Sequence, residues 1–592
     1  MTTDIDATSW SNLDPLYRSL VDRKLNCQKC LEKLLLDRSD LDALVSEAGA
    51  NLYITMTRHT EDEDANKAYE AFVQEVSPEH AKVSFELDTK IAKSPHSEAL
   101  DQARYAVLLR ETRTSVELFR EENVAIQTEL ALLDQKYNQI IGAMTCEFDG
   151  ETKTLPQMGR YLEEQDRELR ERAWNAVSER RLKEKDELDA LFNEMIEKRA
   201  RVAANAGFKN FRDYQHAAMH RYDYTPEDCA TFHEAIEKVV VPLRRALDEE
   251  RSEELGVDSL RPWDTGVDVK GRAPLRPFKD ADDLVEKSSR VFHRMDAQLA
   301  GFFDQLREGD CLDLETRPGK APGGYQYNRD FSRMPFIFMN AAGLHRDLET
   351  MVHEAGHAFH SFLADHDPLV GYRHSPIEFA EVASMSMELL VYPYLGEFYT
   401  EEEADRARRE HLEAMSRTLS WIAQVDAFQH WVYLNPGHTN DERAAHWIEL
   451  EHRFGGNVDW NGFEDARRNL WHRQLHIFGI PFYYIEYGIA QLGALQVWLN
   501  SKRNGEATAI EAYKNAPMLM MMIVYHCSVY VTGDMSPYPT LVIVTTPKYS
   551  ELMNVQLRTS VVKMQLMSAI ITGCIAACTS STLFGASMVS TS

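Results

Sequence analysis

Along most of the chain, apolar and charged positions alternate on a helical period. Between Tyr161 and Ala204, Leu162, Leu169, Trp174, Val177, Leu182, Leu188, Leu191, Phe192 and Ile196 recur at roughly helical intervals among Glu, Arg and Lys. This predicts one long solvated helix with a buried stripe. Residues 1 to about 200 read almost wholly helical, and no fixed-period repeat marks a solenoid. The pattern breaks between Gly256 and Asp280, where prolines and glycines predict a loop or hinge. A second irregular stretch, Arg317 to Tyr325, precedes Met334-Pro-Phe-Ile-Phe-Met-Asn340, the best strand candidate in the chain. Helices resume at Asp347 and are predicted to run to about Ala516. Beyond Pro517 neither period is sustained. Only Asp534, Lys548, Glu551, Arg558 and Lys563 are charged there, and two uncharged runs raise the question of a membrane span. The first is short for a bilayer and the second is diluted by Ser, Thr and Gly. An atypical, poorly ordered tail is the expectation, the pattern a shifted reading frame would produce.

Composition narrows the partners. A formal charge of −29 over 592 residues argues against nucleic acid, whose phosphates need Lys and Arg, and against an anionic membrane surface. The first residues carry neither a basic segment nor an apolar one, so no secretory signal is predicted and a cytoplasmic location is expected. The eight cysteines are scattered and read as reduced thiols. Cys27 and Cys30 form a CxxC with no second pair, and read as two helical cysteines without a metal or redox role.

The candidate chemistry lies in Thr350-Met-Val-His353-Glu354-Ala-Gly-His357-Ala-Phe-His360. On a helix, positions i and i+4 share a face, so His353 and His357 can grip one Zn²⁺ ion together. Glu354 projects beside that face and can take a proton from water that zinc acidifies. Asp347 is placed to cap the helix, and Glu349 adds charge to its first turn. Catalytic zinc needs a third protein ligand and an open position. Glu378, Glu381 and Glu388 follow on one predicted helical face amid Phe379, Val382, Met385 and Leu389, where carboxylates are costly unless paired or metal-bound.

Together with Gly323-Gly-Tyr325, Pro335 to Asn340, Phe379-Ala-Glu381 and Phe482-Tyr-Tyr-Ile-Glu-Tyr487, this motif resembles the thimet oligopeptidase and oligoendopeptidase F group of zinc peptidases. The likeness is closest to the oligoendopeptidase F branch and covers roughly Leu188 to Ala516. It implies an all-α clamshell of two mainly helical halves around a deep channel, with a small β element beside the active site. The implied domains are a helical N-terminal part (1–200), a metallopeptidase domain (201–516) and the atypical tail (517–592). The resemblance picks Glu381 as third ligand. It assigns His476, Tyr484 and Tyr487 to substrate and oxyanion binding, with Tyr483 a near alternative to Tyr484. Pro481 is placed to open a helix that puts Tyr484 and Tyr487 on one face. Gly323 and Gly324 are expected to form a loop over the cleft, and Phe336 to Asn340 an edge strand for the peptide backbone.

The expected activity is cleavage of internal bonds in short peptides, with Glu354 as general base. The rivals are an inactive peptide-binding protein of the same fold, a membrane-tethered peptidase and a metallocarboxypeptidase.

Overall fold

The computed structural model describes residues 5–523 together with 527–532, 540–545 and 562–563. The fold is all-α apart from small sheets. Most of the tail expected to be atypical lies outside the described residues. Its described parts are the end of a helix, Glu506–Ile523, that runs past the predicted limit, and an antiparallel three-stranded sheet of Cys527–Thr532, Thr540–Thr545 and Val562–Lys563. Among the described residues, no helix is long and apolar enough to cross a membrane.

The N-terminal region is helical as expected, interrupted by a short hairpin of Thr145–Phe148 and Glu151–Thr154. The single helix expected between Tyr161 and Ala204 is two, Arg167–Leu182 and Lys185–Asn205, and no Gly or Pro marks the break. Cys27 and Cys30 correct the reading of reduced helical thiols. Cys27 sits before the helix Gln28–Arg58 in extended backbone, which turns its sulfur onto Cys30 of the first turn, and the two are joined as a disulfide.

Two large cores divide the rest. One gathers Phe338, Met351, Val352, Phe359, Met387 and Ala490. The other gathers Phe192, Phe428, Trp447, Trp471 and Phe478. A single long helix, Glu401–Leu434, gives Leu412 and Met415 to the first and Leu419, Ala423 and Phe428 to the second. It starts where the sequence marks a start. The Thr400 hydroxyl accepts from the Glu403 N–H, and Glu403 accepts from the Thr400 N–H, two orphan donors satisfied reciprocally.

The strand Phe336–Ala341 is central, not an edge. It pairs in parallel with Leu312–Glu315 and antiparallel with Tyr325–Tyr327. Its unbroken apolar run is what a strand covered on both faces requires. The edges are therefore Leu312–Glu315 and Tyr325–Tyr327. Lys320, buried beneath the sheet, donates to the Asp313 carboxylate (2.8 Å) and the Glu315 carbonyl (2.9 Å). The Asn340 side chain donates to the carbonyls of Ala321 (2.9 Å) and Gly323 (2.8 Å), which pins the glycine loop to the sheet.

Candidate metal centre and cleft

The HExxH motif lies on the helix His345–Ala364. The helix opens two residues earlier than Asp347. Asp347 is its third residue, and its carboxylate accepts from the N–H groups of Leu344 (2.9 Å) and Ala342 (2.6 Å). The imidazoles of His353 and His357 lie one turn apart, with ring centroids at 4.9 Å.

Against this helix packs Ile377–Leu390, which carries Glu381 and Glu388. Gly356, between the two histidines, permits that approach. A Cβ there would stand 2.7 Å from the Ser384 Cα, closer than real contacts allow. Glu381 is 1% exposed, and its Oε2 lies 3.3 Å from His353 Nε2 and 3.5 Å from His357 Nε2. Zinc–nitrogen and zinc–oxygen bonds of about 2.0–2.1 Å in a tetrahedron place donor atoms about 3.3–3.4 Å apart. These three donors are already spaced for one such ion.

The surroundings fit a cation too. Glu354, Glu381 and Glu388 are three carboxylates withdrawn from solvent around two imidazoles, an arrangement that is costly without positive charge. Burial works to lower the His353 pKa, but hydrogen bonds to Glu381 and Glu388 outweigh it and hold the imidazole well above its usual range. Burial opposes ionisation of Glu381, yet His357 and His353 hold its carboxyl well below the ordinary value. Burial pushes the Glu354 carboxyl up, against the pull of His353 and His357.

Glu388 does not join the donor set. Its Oε1 bonds His353 Nδ1 at 2.6 Å and its Oε2 bonds His411 Nε2 at 3.1 Å. It therefore fixes the His353 ring so that Nε2 faces Glu381. The hydroxyl of Tyr483 donates to Glu381 Oε1 (2.6 Å), and Ser384 donates to Oε2 (3.2 Å). The network continues through His411 to the Tyr392 hydroxyl (2.9 Å). Glu349 sits against His345 (3.3 Å), whose Nδ1 meets the Tyr399 hydroxyl (2.8 Å).

A cavity of about 350 Å³ opens beside this centre, lined by Gly324, Thr350, His353, Glu354, His476, Tyr484 and Tyr487 among others. Glu354 is 6% exposed, and its Oε2 has no hydrogen-bond partner in the protein. The glycine loop is seated here because Gly324 lacks a side chain. A Cβ would stand 3.2 Å from the Thr350 methyl and 3.5 Å from Glu354 Oε1.

His476 is held in one tautomer. The Trp421 indole N–H, which can only donate, bonds Gln474 Oε1 (3.0 Å), so the Gln474 amide N–H faces His476 Nδ1 (2.7 Å). Nδ1 must accept, and the ring hydrogen sits on Nε2, 3.2 Å from the Tyr487 hydroxyl. Burial pushes the His476 pKa down to about 4, so the ring is neutral.

The three tyrosines cluster on His476, with ring centroids 5.0–5.6 Å away. Tyr484 precedes the first residue of the helix Ile485–Asn504, and Tyr487 lies within it. Pro481 does not open that helix. It leads into a turn in which Phe482 adopts φ +68° and its N–H bonds Gln429 Oε1 (2.8 Å).

The structure thus brings together His353, Glu354, His357, Glu381, His476, Tyr484 and Tyr487, every site residue expected from the sequence. Tyr483 reaches the glutamate and Tyr484 the cavity wall. His411 and the positioning role of Glu388 escaped the sequence. Glu388 was visible on the acidic face, but its partner was not.

An oligoendopeptidase F homolog of Lactococcus lactis subsp. lactis is 27% identical over 195 residues, 33% of this chain and 32% of the relative. The oligopeptidase PepF of Bacillus subtilis is 25% identical over 236 residues, 40% and 34% of the two chains. These matches span about a third of the relatives' own length. The solved structure of PZ peptidase A with an inhibitor superposes with a TM-score of 0.87 at 25% identity, covering 97% of this chain and 98% of the other. The oligoendopeptidase F of Enterococcus faecium shares the fold at a TM-score of 0.60 and 15% identity, with 96% of each chain covered. Residues 5–119 match the peptidase M3 N-terminal domain. Residues 160–516, more than half the chain, match Peptidase family M3, and the chain belongs to that family.

Proposed function

We propose that the chain is a zinc-dependent metalloendopeptidase that cleaves internal bonds of short peptides. One observation carries the reading: three donors spaced for a single tetrahedral ion stand beside a buried carboxylate oxygen that has no partner in the protein. When bound, Zn²⁺ would polarise the scissile carbonyl and acidify a water. His353, His357 and Glu381 hold the ion, and Glu388 keeps the His353 ring turned toward it. Glu354 takes the water proton on its free oxygen and returns it to the leaving amine. His476 donates from Nε2, and Tyr484 and Tyr487 from their hydroxyls, to the oxyanion that forms at the attacked carbonyl. The free edge of Tyr325–Tyr327 offers backbone hydrogen bonds to an extended peptide, as edge strands do elsewhere.

The test is Glu354→Gln, assayed for zinc content and for hydrolysis of a quenched peptide of about ten residues, with products mapped by mass spectrometry. Glutamine keeps the shape but cannot take the proton, so zinc should stay and turnover should fall at least about 10²–10⁴-fold. Undiminished cleavage would remove the assigned base. A wild-type chain that binds zinc and cleaves nothing would make the protein a peptide binder, and release of single C-terminal residues would make it a carboxypeptidase.

A further inference from the structure

A second cluster of ligand-type side chains lies away from the cleft. The helix Pro226–Ala235 carries Cys229 and His233, and the long helix Glu401–Leu434 carries Asp426 and His430. Both pairs are spaced i, i+4, so each helix turns two such groups to one face. The Cys229 thiol, a carboxylate oxygen of Asp426 and a ring nitrogen of His430 lie within 4.8 Å of one another. Cys229 is 3% exposed and Asp426 is 0% exposed.

The two oxygens of Asp426 behave differently. Oδ2 lies 2.8 Å from His233 Nε2, a hydrogen bond, and 3.3 Å from His430 Nε2. Oδ1 is buried with no protein partner. A His–Asp–His relay would account for Oδ2. It leaves Oδ1 and the adjacent thiol without a role. A cation among the three groups gives both of them one.

We infer that Cys229, Asp426 and His430 form a second metal site for a zinc-class divalent cation, with His233 positioning the carboxylate. The donor set argues for that class: a soft thiolate and an imidazole select zinc over magnesium or calcium, which take oxygen ligands. Binding exchanges the thiol proton for the metal and involves no oxidation. None of the three groups lines the cavity beside the motif helix. The site joins two helices behind the turn at Phe482, whose ring lies 5.4 Å from that of His430. Its work is structural.

The test is cobalt substitution of the purified full chain under reducing conditions, read by absorption spectroscopy alongside elemental analysis. His353, His357 and Glu381 carry no sulfur, so a thiolate-to-cobalt charge-transfer band does not come from the cleft. The expected result is such a band in the wild type, retained in His357→Ala and lost in Cys229→Ser and Asp426→Asn. Absence of the band from the wild type, a measurement that needs no variant to fold, would overturn the site. So would a band that survives Cys229→Ser in a folded chain.

Discussion

The two histidine–carboxylate clusters share a plan and differ in what surrounds them. Each places an acidic oxygen about 3.3 Å from an imidazole nitrogen, and each uses i, i+4 spacing on a helix. At His353, His357 and Glu381 one side opens on a cavity that also holds Glu354 and the neutral, donating His476. Cys229, Asp426 and His430 sit between two helices, and none of the three lines that cavity. The contrast teaches that donor geometry specifies a cation, whereas chemistry needs the open face beside it.

The strongest way to break the comparison is to remove a donor from the open cluster alone. Glu381→Ala should reduce both hydrolysis and metal in the cleft to background, while the cobalt–thiolate band persists. Loss of both metals together would show that the clusters are one cooperative unit. A smaller effect is expected from His476→Gln, which deletes the fixed Nε2 donor but leaves every metal contact in place. Its kcat should fall about 10²–10³-fold with zinc content unchanged. Smaller again, Glu388→Gln should weaken zinc binding about 10–100-fold, measured by competition with a chelator, because it frees the His353 ring without touching the ion.

The smallest effect concerns acid. The folded His476 has its pKa pushed down to about 4, against an ordinary 6.5 when unfolded. Between these values the unfolded chain binds more protons, so stability falls as pH drops through that window. Thermal melts from pH 7 to pH 5 should show the wild type losing more stability than His476→Gln. An equal loss in the two proteins would mean the ring is not held neutral.

Much of the cleft could be read without coordinates because its first two proposed ligands and proposed base are local. His353, Glu354 and His357 sit within one turn and a half of a single helix, and helical periodicity alone fixes their faces. Glu381 was harder, since three carboxylates shared its face and only the family resemblance chose among them. What separates Glu381 from Glu388 is which nitrogen of His353 each meets, and spacing along the chain does not encode that. The Cys229 cluster was invisible for the same reason. Its two helices are far apart in sequence, and each carries an ordinary i, i+4 pair. The edge-strand reading of Phe336–Asn340 went wrong on a sign the sequence does contain. Its apolar run is continuous rather than alternating, which marks a strand covered on both faces. The helix break near Lys183 left no such sign, for it falls among Arg, Glu and Lys with no Gly or Pro.

The hydroxyl of Tyr513 donates to the carbonyl of Gly356 (3.0 Å), the residue between the two motif histidines. Translation therefore delivers the motif and all three donors well before the brace that seats their helix. A nascent chain that has reached Asn504 holds every residue proposed to act in the cleft, but the motif helix still lacks Tyr513. Seating of the motif helix thus depends on a residue that follows every proposed ligand in the chain.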